Sequence, residues 1–535
     1  MSNPAVSKNG MICSESPLAA LTGHRILMEG GNAFDAAIAC AAVECVTMPA
    51  RCGIGGEAFA ILYDATSNKT YGLTSTGSAP DRAFPDTYKN MGYTFVPFSG
   101  PLSVSPPGEI AAYSQINETF GTMPLSKLLE SAIEYAEEGF RILPGIGRDF
   151  LNGSTRLVEF PSTKSTFLNN EKPYKPGDLF SNKNLATTLR RISNGGMKEF
   201  YKGDLAKDIV REFQEAGGLI DEEAMANVRA ELYEPLSTTY RDYVIAENRP
   251  PSQGAILLEM LNIIEGYNPS TIGFLSSEGI HLMIEAKKLA FADRNKYLGD
   301  PLFENIPLEM LISKEFAKDR RSLININQAT SVVEPSDLVS LGTDTSYFCV
   351  SDIDGNAISF IHSIYAPWGS AFVAGDTGIL FNNRQRGFHI EKGHANTMSP
   401  RKRPMHTLNA YMVLKNNKPF LIGGTPGADL QVQSNLQTIT AIIDHGIKPE
   451  DIVKSPRWYS RPGSDPESSD DMFDVLLEKE MPAEVWNRLT TLGHTVKQWP
   501  NSVNSGLIQL IQIDHTSGEM KGVSDPRGDG EPKGL

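Results

Sequence analysis

The sequence predicts an α/β protein in which strands near both ends of the chain enclose a largely helical middle. Three observations carry that prediction. β-Branched and aromatic runs bounded by turn residues occur near residue 60 and again from residue 345 onward. Helical apolar periodicity dominates about residues 120–330. No internal repeat or long Gly/Ser linker separates the two regions, so the 535 residues are expected to form one intertwined unit.

Bulk properties narrow the range of partners. The chain is 40% hydrophobic and 21% charged, with a formal net charge of −15, which argues against nucleic acid and anionic membrane. The longest apolar stretch, about residues 36–46, is broken by Glu44 and too short to span a bilayer. The first residues lack the apolar core of a secretory signal. Five cysteines show no CxxC or metal-type spacing and read as free thiols in a reducing cytoplasm. The expectation is a cytoplasmic protein with no cofactor and no metal.

Along the chain, residues 17–28 carry an amphipathic helical pattern that Gly30 and Gly31 stop, and Asn32 is placed to cap an apolar helix over 33–46. Residues 51–59 (RCGIGGEAF) lack the Lys-Ser/Thr of a phosphate loop, so their glycines point to close backbone packing before a strand at 60–63. Helices are expected over 125–139, 204–216, 255–265 and 280–297, with residues 250–254 (PPSQG) punctuating the third. Beyond residue 345 a hairpin is followed by strands at 379–381, 410–414 and 419–423, then a helix near 433–445.

The hairpin holds the most chemistry. Residues 345–351 and 357–363 flank a turn at 352–355 (DIDG), where Gly355 can take positive φ. With the turn centred near Asp354, Thr345 pairs with Ser363 and both side chains share one face. His362 alternates to the other face, which gives it a core or supporting role. Threonine is also a common β-former, so Thr345 alone decides little. A second glycine segment, residues 421–429 (LIGGTPGAD), offers backbone N–H groups able to form an oxyanion hole. If the chain is cut between Asp344 and Thr345, the new α-amine can serve as the base for the Thr345 hydroxyl without histidine or metal. No HExxH or G-x-S-x-G motif supports a rival hydrolase chemistry.

These residues resemble the γ-glutamyltranspeptidase family of N-terminal nucleophile hydrolases. The likeness rests on residues 29–37 (EGGNAFDAA), 53–56 (GIGG), 250–252, 291–294 (FADR), Thr345 with 352–356 (DIDGN), Gly369-Ser370, 376–380 (DTGIL), Asn382-Asn383, 402–404 and 456–458. It implies a four-layer αββα sandwich, cut into a large segment 1–344 and a small segment 345–535 that stay associated. The resemblance implies that Thr345 is the autoprocessing residue and nucleophile, that Ser363 supports it, and that Gly427 and Ala428 form the oxyanion pair. Ala428 replaces the family's second glycine but keeps its N–H.

The substrate positions depart from the family. Its arginine for the α-carboxylate falls at Thr76, and its asparagine after the hairpin is Tyr365. Its Gln and the Asp that binds the α-amino group become Arg384 and Gly387, and its serine pair becomes His406 and Thr407. Arg384, with Arg386 or His406, can hold a carboxylate from the opposite wall; the plain alternative is a set of solvated surface charges. The expected activity is therefore cleavage of γ-glutamyl or similar carboxylate-bearing amides through an acyl-Thr345 ester, passed to water or an amine. The alternatives are an acylase of a non-γ-glutamyl substrate and an uncut, non-catalytic binding homologue. The expected partners are a small amide or peptide substrate and, in assembly, a second copy of the chain.

Overall fold

A computed structural model describes residues 4–330, 345–464, 473–500 and 506–535; Asp344, the residue before the expected cut, lies outside them. Two seven-stranded antiparallel sheets dominate. The first runs in the order Glu531–Gly534, Gly10–Ser14, Ser346–Asp352, Ala357–Ser363, Glu57–Asp64, Lys69–Ser75, Ala230–Tyr233. The second runs Ala5–Ser7, Glu519–Ser524, Gln509–Asp514, Lys418–Gly424, Tyr411–Lys415, Tyr243–Glu247, Leu236–Tyr240. Each sheet draws strands from both sides of residue 345.

Strand periodicity sorts the side chains into three apolar layers. Phe348, Val350, Ile358, Phe360, Ala60 and Leu62 leave the first sheet toward helices that include Ala33–Thr47 and Glu109–Phe120. Their sequence neighbours Tyr347, Cys349, Ile361, Phe59 and Ile61 point the other way and meet Met412, Ile422 and Ile511 of the second sheet. The far face of that sheet presents Ile245, Val413, Leu421 and Leu510 to helices including Gly254–Glu265, Ser277–Tyr297 and Leu430–His445. Helix, sheet, sheet and helix stack as the expected αββα sandwich. The rings of Phe348 and Phe360 stack at 4.9 Å, so Phe360→Ala is expected to cost about 3–5 kcal/mol through the cavity it opens.

Local chemistry accounts for most boundaries. The Asn32 side chain accepts from the N–H groups of Phe34 and Asp35 in a capping box that starts Ala33–Thr47. Ser16 caps Pro17–Met28 in the same way, with a bond from Ala19. The hairpin turns where expected, with Gly355 at φ +89°. Asp352 ties that turn to the neighbouring helix: its Oδ2 accepts from the Ala33 N–H at 2.8 Å.

Three expectations need correction. Residues 230–247 are not part of a helical middle but form three short strands, Ala230–Tyr233 and Leu236–Tyr240 at the sheet edges and Tyr243–Glu247 one strand in. Residues 379–381 form only isolated bridges, Gly55 with Phe381 and Val373 with Leu380, because their apolar side chains fill the core while the backbone crosses out of the ladder. The helix expected over 125–139 breaks at Leu129 into Leu125–Leu128 and Glu130–Glu138. Among the described residues, no helix is long and apolar enough to cross a membrane.

Candidate active site

The site grows from one row of side chains at the open end of the hairpin. The ladders pair Ser346 with His362, Ser363 with Glu57, and Ala58 with Ser75. One step along the same registers, Thr345 stands opposite Ser363 and Thr76 opposite Glu57. Directly opposed residues share a face, so Thr345, Ser363, Glu57 and Thr76 line up toward the second sheet. The Thr345 hydroxyl donates to Ser363 Oγ at 3.2 Å, and the same oxygen accepts from the Tyr365 N–H at 2.8 Å. Both hydroxyl residues are buried.

Glu57 organises the far half of the row. Its Oε1 accepts from Thr76 Oγ1 at 2.7 Å, and its Oε2 from Arg384 Nε at 2.6 Å. Burial raises the Glu57 carboxyl above its usual range, against the pull of Arg384. His406 Nε2 lies 2.9 Å from Thr76 Oγ1. With the Thr76 proton given to Glu57, Nε2 carries the imidazole hydrogen and Nδ1 is left as an acceptor. Burial, with Arg384 and Arg403 nearby, holds His406 well below its usual range, so the ring is neutral. It cannot add positive charge to Arg384.

Arg384 is the outstanding charge. It is 0% exposed, which excludes the solvated-surface alternative. Its guanidinium lies 4.5 Å from the centre of the Tyr365 ring, and Tyr365 itself follows Ser363 in a left-handed conformation at φ +79°. Beyond the Glu57 bond, neither Nη1 nor Nη2 has a hydrogen-bond partner among the described residues. Arg386 turns elsewhere, with Nη1 on the Val96 carbonyl. Gly387 lies against the Tyr365 ring: the atoms nearest to where a Cβ would sit are the Tyr365 hydroxyl at 3.7 Å and the Met405 carbonyl oxygen and Tyr365 Cε2, both at 3.9 Å.

The second glycine segment leaves the strand Lys418–Gly424 beside the hairpin, where a Cβ on Gly424 would strike the Tyr347 ring. Gly427 and Ala428 then turn at φ +124° and +49°. Their carbonyls accept from Leu430 and Gln431, while their own N–H groups donate to nothing among the described residues. Two free N–H groups in a tight turn suit a developing oxyanion. Gln253 braces that turn against the substrate wall, bonding the carbonyls of Thr407 at 2.8 Å and Ala428 at 3.3 Å. Arg294 fixes Gln253 and Asp429 together, through bonds of 2.8 and 2.5 Å.

The structure thus gathers Thr345, Ser363, Tyr365, Thr76, Arg384, His406 and Thr407 around connected hydrogen bonds, with Gly427 and Ala428 joined through Gln253. The glycines of 51–59 serve close packing, as expected: a Cβ on Gly56 would lie 2.4 Å from the Ser363 carbonyl oxygen. Sequence reasoning missed Glu57, which sits at the centre of the row inside that glycine run. It also passed over Glu44 as a site residue, although an acid in the interior of an apolar helical stretch is a signal for a buried partner.

The sequence model of the gamma-glutamyltranspeptidase family matches residues 19–535. The glutathione hydrolase-like YwrD proenzyme of Bacillus subtilis is 34% identical over 538 residues, spanning 100% of both chains. The acylase ACY 1 proenzyme of Pseudomonas sp. (strain SE83) is 31% identical over 99% of this chain and 94% of its own. Among solved structures, the cephalosporin acylase from Bacillus halodurans superposes with a TM-score of 0.92 at 33% identity, covering 100% of this chain and 97% of that one. A family match that runs through the hairpin, the glycine turn and both sheets leaves one assignment: the chain belongs to the gamma-glutamyltranspeptidase family, as an amidohydrolase of the N-terminal nucleophile type.

Proposed function

We propose that this protein cuts itself before Thr345 and then hydrolyses amides whose acyl group carries a carboxylate, which Arg384 receives. The observation that carries the substrate reading is the bare, fully buried Nη edge of Arg384. Buried Nη donors without acceptors are costly even when Nε is paired with Glu57, and a carboxylate suits that open edge. The names of relatives, glutathione hydrolase-like proenzyme and acylase proenzyme, support self-cleavage and an acyl substrate.

In the first step the Thr345 hydroxyl attacks the Asp344 carbonyl carbon. The C–N bond breaks as nitrogen gains a proton, and water opens the ester to an Asp344 carboxylate and a free Thr345 α-amine. That amine, with an ordinary pKa of roughly 7.7–8.0, takes the hydroxyl proton when Thr345 attacks substrate. The N–H groups of Gly427 and Ala428 receive the oxyanion. The leaving amine departs with the proton held by the Thr345 α-ammonium, and water or a second amine releases the acyl group. With Gly387 where the family carries an acid, that position offers no carboxylate to an α-ammonium. Glutaryl-type amides therefore suit the site better than γ-glutamyl ones.

Denaturing electrophoresis tests the cut. Two bands near 38 and 21 kDa, about the residue shares of the 58.5 kDa chain, are expected, and Thr345→Ala leaves one. A wild-type chain that stays whole on long incubation overturns the reading. For the substrate, a glutaryl anilide should be turned over faster than a γ-glutamyl anilide, and strong transpeptidation to dipeptides would contradict the assignment. Five free, buried cysteines support cytoplasmic residence as part of this proposal, which cell fractionation can check.

A further inference from the structure

The helix Ala33–Thr47 lies under the hairpin and is buried along its whole length, yet it carries two carboxylates: Asp35, spent in the capping box at its start, and Glu44, toward its C-terminal end. Glu44 Oε2 accepts from Ser346 Oγ at 2.7 Å and stands 2.7 Å from His362 Nε2; its Oε1 accepts from Ser14 Oγ at 2.5 Å. Ser346 and His362 are the residues next to Thr345 and Ser363. They point to the opposite face of the sheet, so one carboxylate grips both strands one residue beyond the reacting hydroxyls.

The grip is built rather than incidental. His362 is 0% exposed, and its other nitrogen, Nδ1, lies 2.8 Å from Glu109 Oε1 of the helix Glu109–Phe120. Two carboxylates facing the two ring nitrogens make His362 an imidazolium donating to both. Buried ionic groups of this kind can often be replaced by apolar ones without loss of stability, so stability alone does not explain them. The same helix holds the other end of the hairpin through Asp352 and the Ala33 N–H. Eleven helical steps and six strand steps span about 17 and 20 Å, so the two anchors fit one helix laid along one strand.

Chain ends fray unless tied down. Once Thr345 becomes an end, its own hydroxyl meets Ser363, and the next hold on the core is the Ser346 side chain on Glu44, followed by Tyr347, whose N–H donates to Glu15 Oε1 at 3.1 Å. We propose that Glu44, through Ser346 and His362, is a positioning residue that keeps the Thr345 and Ser363 hydroxyls in register after the cut. This rests on Thr345 being the nucleophile.

The test uses the full chain with Ser346→Ala, Ser346→Thr, Glu44→Gln and the double variant S346A/E44Q, reading self-cleavage, thermal midpoint, kcat and KM on a glutaryl anilide. Ser346→Ala is expected to slow self-cleavage and lower kcat about tenfold or more, with KM within about twofold. Ser346→Thr, which keeps the hydroxyl, restores most of the rate. The double variant is expected to lose less than the two single losses combined, because both changes act on the same Ser346–Glu44 contact. A Ser346→Ala enzyme with native kcat, or one losing thermal stability alone, overturns the positioning role while leaving the proposed function intact. A wild-type chain that neither cuts itself nor turns over any amide overturns both. If Glu44→Gln fails to fold, the two Ser346 variants still decide.

Discussion

At Arg384 a guanidinium that stays charged at every practical pH rests one edge on Glu57 and leaves the other bare. Arg384→Gln is therefore expected to lower kcat/KM for a carboxylate-bearing anilide by about 2–3 kcal/mol, roughly 30- to 150-fold, measured against a neutral acyl anilide that changes little. His362 gives a pH signature of its own. Burial alone would depress its imidazolium, but Glu109 and Glu44, with Cys45 hydrogen-bonded beside them, hold it well above the usual range. Tyr113 of the Glu109 helix and Cys52 of the glycine run also face this cluster. The raised value means the contribution to stability is complete below roughly pH 6.5 and is lost as pH rises through the folded-state value. Alkaline loss of thermal midpoint should therefore be shallower in His362→Gln than in wild type. Thr345 and Ser363 were legible because strand alternation and one turn fix their register. The bare edge of Arg384 was not, since only the fold brings Glu57 to it from 327 positions away.

Among the elements, the turn at Gly427 and Ala428 carries a visible strain. An L-residue in the left-handed region costs roughly 1–2 kcal/mol, and Ala428 sits there at φ +49°. Ala428→Gly is expected to raise stability by about 0.5–1 kcal/mol, part of the relief being offset by the freer unfolded chain. Chemical denaturation in the uncut Thr345→Ala background would measure it. Because the N–H is kept, kcat of the cut enzyme should stay within about twofold. The hairpin and the capped helices were legible because Gly355 and Asn32 are local signals. The strands in 230–247 were not. Each has four or five residues, and Ala230–Tyr233 is stabilised by pairing with Lys69–Ser75, far away in sequence.

On the scale of the molecule, the two sheets bind the segments on either side of residue 345 into one body. Ser346–Asp352 pairs with Gly10–Ser14 on one side, and Ala357–Ser363 with Glu57–Asp64 beyond it. Between the sheets, Tyr347, Cys349 and Ile361 share an apolar core with Phe59, Ile61 and Met11. The cut protein is expected to elute in size-exclusion chromatography with its two segments together, and to part only in denaturant. Alternation of apolar residues made the sandwich legible as an α/β class; the order of strands was not, because it depends on pairings hundreds of residues apart.

Interleaved strands also give the molecule a history that runs one way. An intact chain folds as a single polymer, with every strand tethered to its neighbours. A cut one that has been unfolded must find its other half by diffusion, so recovery becomes a second-order event that fails on dilution. Thr345→Ala should regain native circular dichroism after dilution from denaturant at any protein concentration, whereas the mature enzyme should recover activity only when concentrated. Activation thus exchanges a renewable structure for a finite lifetime, set by how rarely the two segments come apart.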